Sequence, residues 1–185
     1  MRLQEQVLTT SEVWWDKVKD NELLLNDWLR KQYHGEVTAA DRINSFAEQY
    51  AEDGSRAQRL LGIIASQETD HARWVGDLLV ARGIEPVVLE KEERYWDSTL
   101  PQIASFATGA AVAAHAEHMR LERIRTISAD PSAPADIKRV FDRILPQEVF
   151  HERAFTSLAG EEAMQDTQAA HELGRVSIGL FPEDF

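Results

Sequence analysis

The chain has 185 residues, 43% of them hydrophobic, a formal net charge of −12 and no cysteine. That length supports one domain with a substantial core, and the missing thiols exclude disulfides, thiolate-held iron, iron–sulfur clusters and a cysteine nucleophile. The acidity disfavours nonspecific binding to nucleic acid or anionic membrane, which depends on Lys and Arg; no apolar run approaches roughly 18 residues and the N-terminus MRLQEQVLTTSEVWW lacks the apolar stretch of a signal peptide, so the expected compartment is the cytoplasm.

The chain reads as helix throughout. A capping box of Thr9 with Glu12 is expected to open a short amphipathic segment bearing Trp14 and Trp15. The first long helix is expected from about 21 to 50, with Leu25, Leu29, Tyr33, Glu36, Ala40, Ile43 and Ala47 on one stripe. After the EDGS turn a second helix runs from about 55 to 82, with Ile64, Glu68, His71 and Val75 inward and Gly83 as its C-terminal cap. Residues 83–99 are too irregular for a bundle helix and have the length of a crossover joining two helical hairpins. A third helix is expected from near Pro101, carrying Ala110, Ala113, Glu117 and Leu121, and a fourth from about 135 to 158, with Ile144, Glu148, His151 and Phe155 inward. Residues 161–174 fit a short fifth helix, followed by an irregular tail to Phe185. The resulting organisation is a single domain over 1–185, a four-helix metal-binding bundle over 21–158 and a C-terminal helix and tail over 159–185.

The chemistry concentrates in two strings, QETDH ending at His71 and QEVFH ending at His151. Positions i and i+3 share a helix face, so Glu68 with His71, and Glu148 with His151, each offer a carboxylate and an imidazole to one ion. A single Glu-x-x-His pair arises often by chance, but here the surroundings repeat too. Ile64, Gln67, Glu68, His71 and Arg73 match Ile144, Gln147, Glu148, His151 and Arg153 at one offset, while Glu36 and Glu117 lie 32 and 31 residues upstream of Glu68 and Glu148. The chain thus reads as two hairpins of one design, which would bring six ligands to a central site about a pseudo-twofold axis. Ionisable groups in the middle of four apolar stripes are costly to bury without a partner, and metal ions would provide one.

The order Glu36, Glu68-x-x-His71, Glu117, Glu148-x-x-His151 resembles the ferritin-like carboxylate-bridged diiron proteins: rubrerythrin, bacterioferritin, ribonucleotide reductase small subunits and related oxidases. The string GEVTAADR around Glu36 is similar to the first metal helix of rubrerythrins. The resemblance implies an all-α, ferritin-like four-helix bundle: two helical hairpins joined by a long crossover, with a short N-terminal segment and a short C-terminal helix. It implies two iron ions, with manganese or a mixed pair also suiting the ligands; Glu36 and Glu117 would be terminal, Glu68 and Glu148 bridging, and His71 and His151 would each cap one ion. No catalytic residue beyond the metal site and no organic-cofactor motif stands out. Thr69 replaces the haem-ligating Met of bacterioferritin, which implies no haem, and Arg120 replaces the further Glu often found in rubrerythrins, which weakens a peroxidase of their type.

Around the ligands, Gln67 and Gln147 stand where bacterioferritins place Asp, and are expected to accept the Nδ1 proton of the opposite histidine, leaving Nε2 for iron. Tyr33, one turn before Glu36, fits core packing better than a role beside the metals. Asp70 fits a solvated face better than support of the site. His115 and His118 point off the Glu117 face, and His34 and His171 read as surface residues. The small-residue run ATGAAVAAHAEH fits either close helix packing or a pocket beside the site. Trp14, Trp15, Trp28, Trp74 and Trp96 fit packing or a dimer interface. Three functions follow: a diiron oxidoreductase activating dioxygen or peroxide with electrons from an external donor, as a homodimer; a ferroxidase feeding iron storage in a cage; and a noncatalytic metal-binding protein. A tRNA-modifying hydroxylase of similar fold is disfavoured by the lack of a basic footprint.

Overall fold

A computed structural model describes residues 8–90 and 93–182. Six α-helices follow in order: α1 Ser11–Val18, α2 Glu22–Tyr50, α3 Arg56–Val80, α4 Arg94–Thr99, α5 Phe106–Ala129 and α6 Ala135–Ser177, with a 3-10 turn Leu100–Gln102 between α4 and α5. The expected tail beyond 182, residues 91–92 of the crossover and the first seven residues lie outside the described residues. Among the described residues no helix is long and apolar enough to cross a membrane.

Helix starts are set by short polar side chains that accept otherwise orphaned amides. Thr10, Asn21 and Ser55 accept from Val13, Leu24 and Gln58, and Ser105 forms a reciprocal capping box with Thr108. Two expected starts therefore move. The cap of α1 is Thr10, while Thr9 pairs with the C-terminal segment through Gly179. The third bundle helix starts at Phe106 rather than near Pro101, because Pro101 lies in the 3-10 turn and the Ser105–Thr108 pair supplies the cap. The crossover also contains α4. The expected fifth helix follows the fourth within α6 but is set off from it by a kink at Gly160, whose φ of 76° glycine adopts at no steric cost, and it runs back beside α5, with Thr167 near His115 and Arg175 paired to Glu122.

α2 and α3 form one antiparallel hairpin and α5 and α6 the other. Two apolar layers fill the space between them. One contains Leu29 of α2, Val75 of α3, Ile124 of α5 and Phe141 of α6; the other contains Ile43, Leu61, Ala110 and Phe155 of the same helices. Passing from the first layer to the second runs forward along α2 and α6 but backward along α3 and α5. α3 and α5 are therefore parallel, and the segment between them must return the length of the bundle, which explains its span. Each ligand residue of the sequence analysis falls between the layers: Glu36 lies between Leu29 and Ile43, and Glu148 between Phe141 and Phe155. This alternation is the all-α, ferritin-like bundle expected from the repeat.

The small-residue run resolves mainly as close packing. Gly109, Ala110, Ala111 and Ala114 are buried, and a Cβ on Gly109 would lie 2.3 Å from Phe46 Cε2. Trp15, Trp28 and Trp74 are core residues, Trp14 packs against them, and Trp96 lies under the Arg42 guanidinium.

Candidate metal centre

Glu36, Glu68, His71, Glu148 and His151 are fully buried and Glu117 is 4% exposed. They reach that position because each occupies the inward stripe of its helix midway between the apolar layers. Their ligand atoms form two groups, Glu36 with Glu68, His71 and Glu148, and Glu68 with Glu117, Glu148 and His151; within each, all atoms lie within 4.8 Å of one another. Glu68 and Glu148 belong to both groups. That sharing fits a binuclear metal site, in which the two common carboxylates would serve both ions.

Each imidazole is held from the opposite hairpin. His71 Nε2 donates to Gln147 Oε1 at 2.7 Å, and His151 Nε2 donates to Gln67 Oε1 at 2.8 Å. The pairing matches the pseudo-twofold expectation, but the nitrogens are reversed. Nε2, distal on the ring, reaches across to the glutamine, whereas Nδ1 stays near its own helix and faces the carboxylates: His71 Nδ1 is 3.4 Å from Glu148 Oε1 and His151 Nδ1 is 2.9 Å from Glu68 Oε1. With one proton fixed on Nε2, Nδ1 is the nitrogen that could offer a lone pair to a metal ion at the centre.

Five buried atoms there lack a hydrogen-bond partner: Glu68 Oε1, Glu117 Oε2, Glu148 Oε2, His71 Nδ1 and His151 Nδ1. The 2.9 Å approach of His151 Nδ1 to Glu68 Oε1 is not aligned as a hydrogen bond, so both remain orphans. Buried lone pairs converging without donors cost free energy unless a cation joins them. Oxygen and imidazole donors of this kind suit iron, manganese or zinc. The residues therefore fit a dinuclear metal site.

One cation is already present. Arg120 Nη1, from α5, lies 3.1 Å from Glu36 Oε2, 3.0 Å from Glu68 Oε2, 3.4 Å from Glu148 Oε1 and 3.8 Å from Glu117 Oε2. Burial pushes Glu36 up to about 7, opposed by Arg120, and raises Glu117 well above the usual carboxylate range, with Glu148 adding to the rise. Burial acts the same way on Glu68 and Glu148, but Arg120 and the imidazoles outweigh it and hold both low. Burial would lower both histidines, yet the surrounding carboxylates, Glu148 foremost, raise them. The metal-free centre thus balances its acids with one guanidinium and with protons.

Two contributors escaped the sequence analysis. Arg120 was legible only as a departure from the rubrerythrin pattern, although its place one turn after Glu117 puts it on the same face. Gln32, one turn before Glu36, donates to Glu36 Oε1 at 2.5 Å; spacing alone made it a neighbour. Tyr33 packs in the core against Gly76, as expected of the simpler alternative. Asp70 pairs with Arg73 on the outer face.

The outlying histidines need correction. His34 is buried rather than exposed, between Glu93, 2.6 Å from its Nε2, and the Leu89 amide, which donates to Nδ1. His171 is also buried, with Tyr95 Oη 2.8 Å from its Nδ1 and its ring stacked on His115. Both face the crossover or the extension of α6, whose positions helical periodicity does not reveal. His115 packs inward against α6 near Thr167, while His118 pairs with Glu152.

Neither a curated protein nor a solved structure matches the chain. A sequence model of the rubrerythrin family does match, over residues 27–159, a span that holds all six clustered Glu and His residues. On that match, with its four helices and doubled Glu-x-x-His pairs, the chain belongs to the rubrerythrin family.

Proposed function

We propose that the protein is an oxidoreductase that activates dioxygen or peroxide at a dinuclear iron site. The sharing of Glu68 and Glu148 between two donor groups carries this reading, because a bridged pair needs that arrangement and a single structural ion does not. When bound, two Fe(II) ions would supply two electrons to dioxygen or peroxide and would regain them from a substrate or from the external donor.

The chain's own residues set the conditions. Glu68 and Glu148, common to both donor groups, would hold both ions; Glu36 and Glu117 would each complete one group, and His71 and His151 would each offer Nδ1 to one ion. Gln147 and Gln67 keep the imidazole proton on Nε2, so the ligating nitrogen is free without a local base. The apolar layers on both sides exclude bulk water and strengthen charge interactions within the site. With no cysteine among the 185 residues for a thiolate-bound electron carrier, electrons come from an external reductase or donor protein. A cytoplasmic homodimer is the assembly that accompanies this reading.

Anaerobic titration with Fe(II) should end near two equivalents per chain, with dioxygen consumption sustained only while an external reductant is supplied. One equivalent or none in folded protein would sink the dinuclear reading. A cage of many subunits on size-exclusion chromatography would shift the role to iron storage.

A further inference from the structure

Beside the carboxylate cluster lies a cavity of about 910 Å³ between α1, α2, α4 and α5. Its lining includes Gln32 and Arg120, both of which donate to Glu36 of the cluster. Its walls include Trp14, Trp28, Tyr95 and Trp96. In a chain of net charge −12, the lining carries Lys17, Lys31, Arg94, Arg120 and Arg123 against Asp27 and Glu93; Lys31 pairs with Asp27 and Arg120 with the carboxylate cluster, so the basic excess rests on Lys17, Arg94 and Arg123.

Arg123 is the informative member. Its Nε is shut off from solvent and has no hydrogen-bond partner, and among the described residues no carboxylate forms an ion pair with its guanidinium. The contact it does make is with the face of Trp14, 4.8 Å from the ring centroid, which leaves the guanidinium edge free. Burial lowers its affinity for its proton, with Glu122 opposing and Arg175 adding to the effect. Arg123 as a whole is partly exposed while its Nε is sealed without a partner, so a carboxylate entering the cavity would match the planar fork and supply the acceptor that Nε lacks.

Arg123 is one helical turn beyond Arg120 and two beyond Glu117. At the α-helical rise, its backbone is about 9 Å along the axis from the level of Glu117. A molecule anchored at Arg123 therefore needs a body of roughly that length to reach the centre, and aromatic walls favour an apolar, flat one.

We propose that this cavity binds an organic monocarboxylate with an aromatic body, its carboxylate on Arg123, its body against Trp14 and Trp28, and its far end directed at Gln32 and Arg120 over the carboxylate cluster. Its role as a substrate site rests on the metal reading above; the binding itself does not.

The test is a titration of the metal-free full chain with 4-phenylbutyrate, followed by calorimetry and tryptophan fluorescence, alongside the neutral amide 4-phenylbutyramide and inorganic phosphate. The acid should bind at least about tenfold more tightly than the amide and than phosphate. Arg123→Gln should abolish that preference, whereas Arg125→Gln, on the exposed face, should retain it. Equal affinity for acid and amide in the wild-type protein would overturn the proposal without reliance on any variant. So would phosphate binding as tightly as the acid. In protein loaded with Co(II), the acid should also shift the visible bands; tight binding with unchanged bands would remove the ligand from the neighbourhood of the centre. Failure to bind two metals would leave the metal-free titration standing, so the two readings fail separately.

Discussion

Gln67 on α3 accepts a hydrogen bond from His151 on α6, with 2.8 Å between Oε1 and Nε2. Gln147 and His71 make the mirror contact at 2.7 Å. Each residue that precedes a motif Glu therefore serves the histidine of the other hairpin, and the two halves depend on each other for ligand orientation.

Replacing either Gln by Leu preserves helix propensity and volume but leaves the Nε2 proton without an acceptor. The ring is then free to rotate or change tautomer. Metal affinity should fall by about 10- to 100-fold, the usual cost of losing such support, with helical content unchanged by circular dichroism. Competition titration with Co(II) measures it. An unchanged affinity in both variants would show that packing alone orients the rings.

Arg120 supplies a cation where the ligand set calls for metal. Substitution by Gln should destabilise the metal-free protein strongly, by about 3–5 kcal/mol, since the buried Glu68 and Glu148, the two carboxylates held ionised, lose their shared counter-ion. Metal-loaded protein should lose much less, because two divalent ions balance four carboxylates without help. The increase in melting temperature on adding Mn(II) should thus be larger in Arg120→Gln than in the wild type. An equal increase would mean that the guanidinium stays in place when metal binds.

The metal cluster was legible because its signals are local and doubled. Glu36, Glu68 and His71 recur as Glu117, Glu148 and His151 at nearly constant spacing, and helical periodicity alone puts them on inward faces. The choice of imidazole nitrogen was not legible: it depends on the distance between hairpins, which no spacing within one helix encodes. Arg120 illustrates a similar gap. Its residue type departs from the pattern, but only the assembled bundle shows its Nη1 among carboxylates from α2, α3, α5 and α6. His34 and His171 were misplaced for the same reason, since their partners belong to the crossover.

The N-terminal helix is tied to the bundle through Asp130, which offers a pH-dependent test. Its carboxylate is held well below the usual range by the Ser132 hydroxyl and amide, then Lys19, with Trp15 contributing. Oδ2 accepts from Trp15 Nε1 at 2.9 Å and from Lys19 Nζ at 3.0 Å. A depressed folded-state pKa stabilises above the unfolded value of about 3.9 and loses that contribution as pH falls toward the folded one. Asp130→Asn should melt lower than the wild type at neutral pH, with the gap closing below about pH 4. A constant gap down to pH 3 would assign the effect to shape rather than charge.

Gly109 fixes how closely α5 approaches α2, the helices that carry Glu117 and Glu36. Its hypothetical Cβ would meet Phe46 Cε2 at 2.3 Å, with Phe46 stacked on Phe106 and tilted against Tyr50. Gly109→Ala gains about 1 kcal/mol of helix propensity. It also forces a methyl into the ring, and overpacking of that kind costs roughly 1–3 kcal/mol. The ring is held on two sides, so the steric cost should prevail and the melting temperature should fall by a few degrees, at about 2–4 °C per kcal/mol for a chain of this length. Phe46→Leu in the same protein should recover part of the loss, because the shorter side chain admits the methyl. A Gly109→Ala protein more stable than the wild type would show that Phe46 moves aside freely, and that the α2–α5 spacing is set elsewhere.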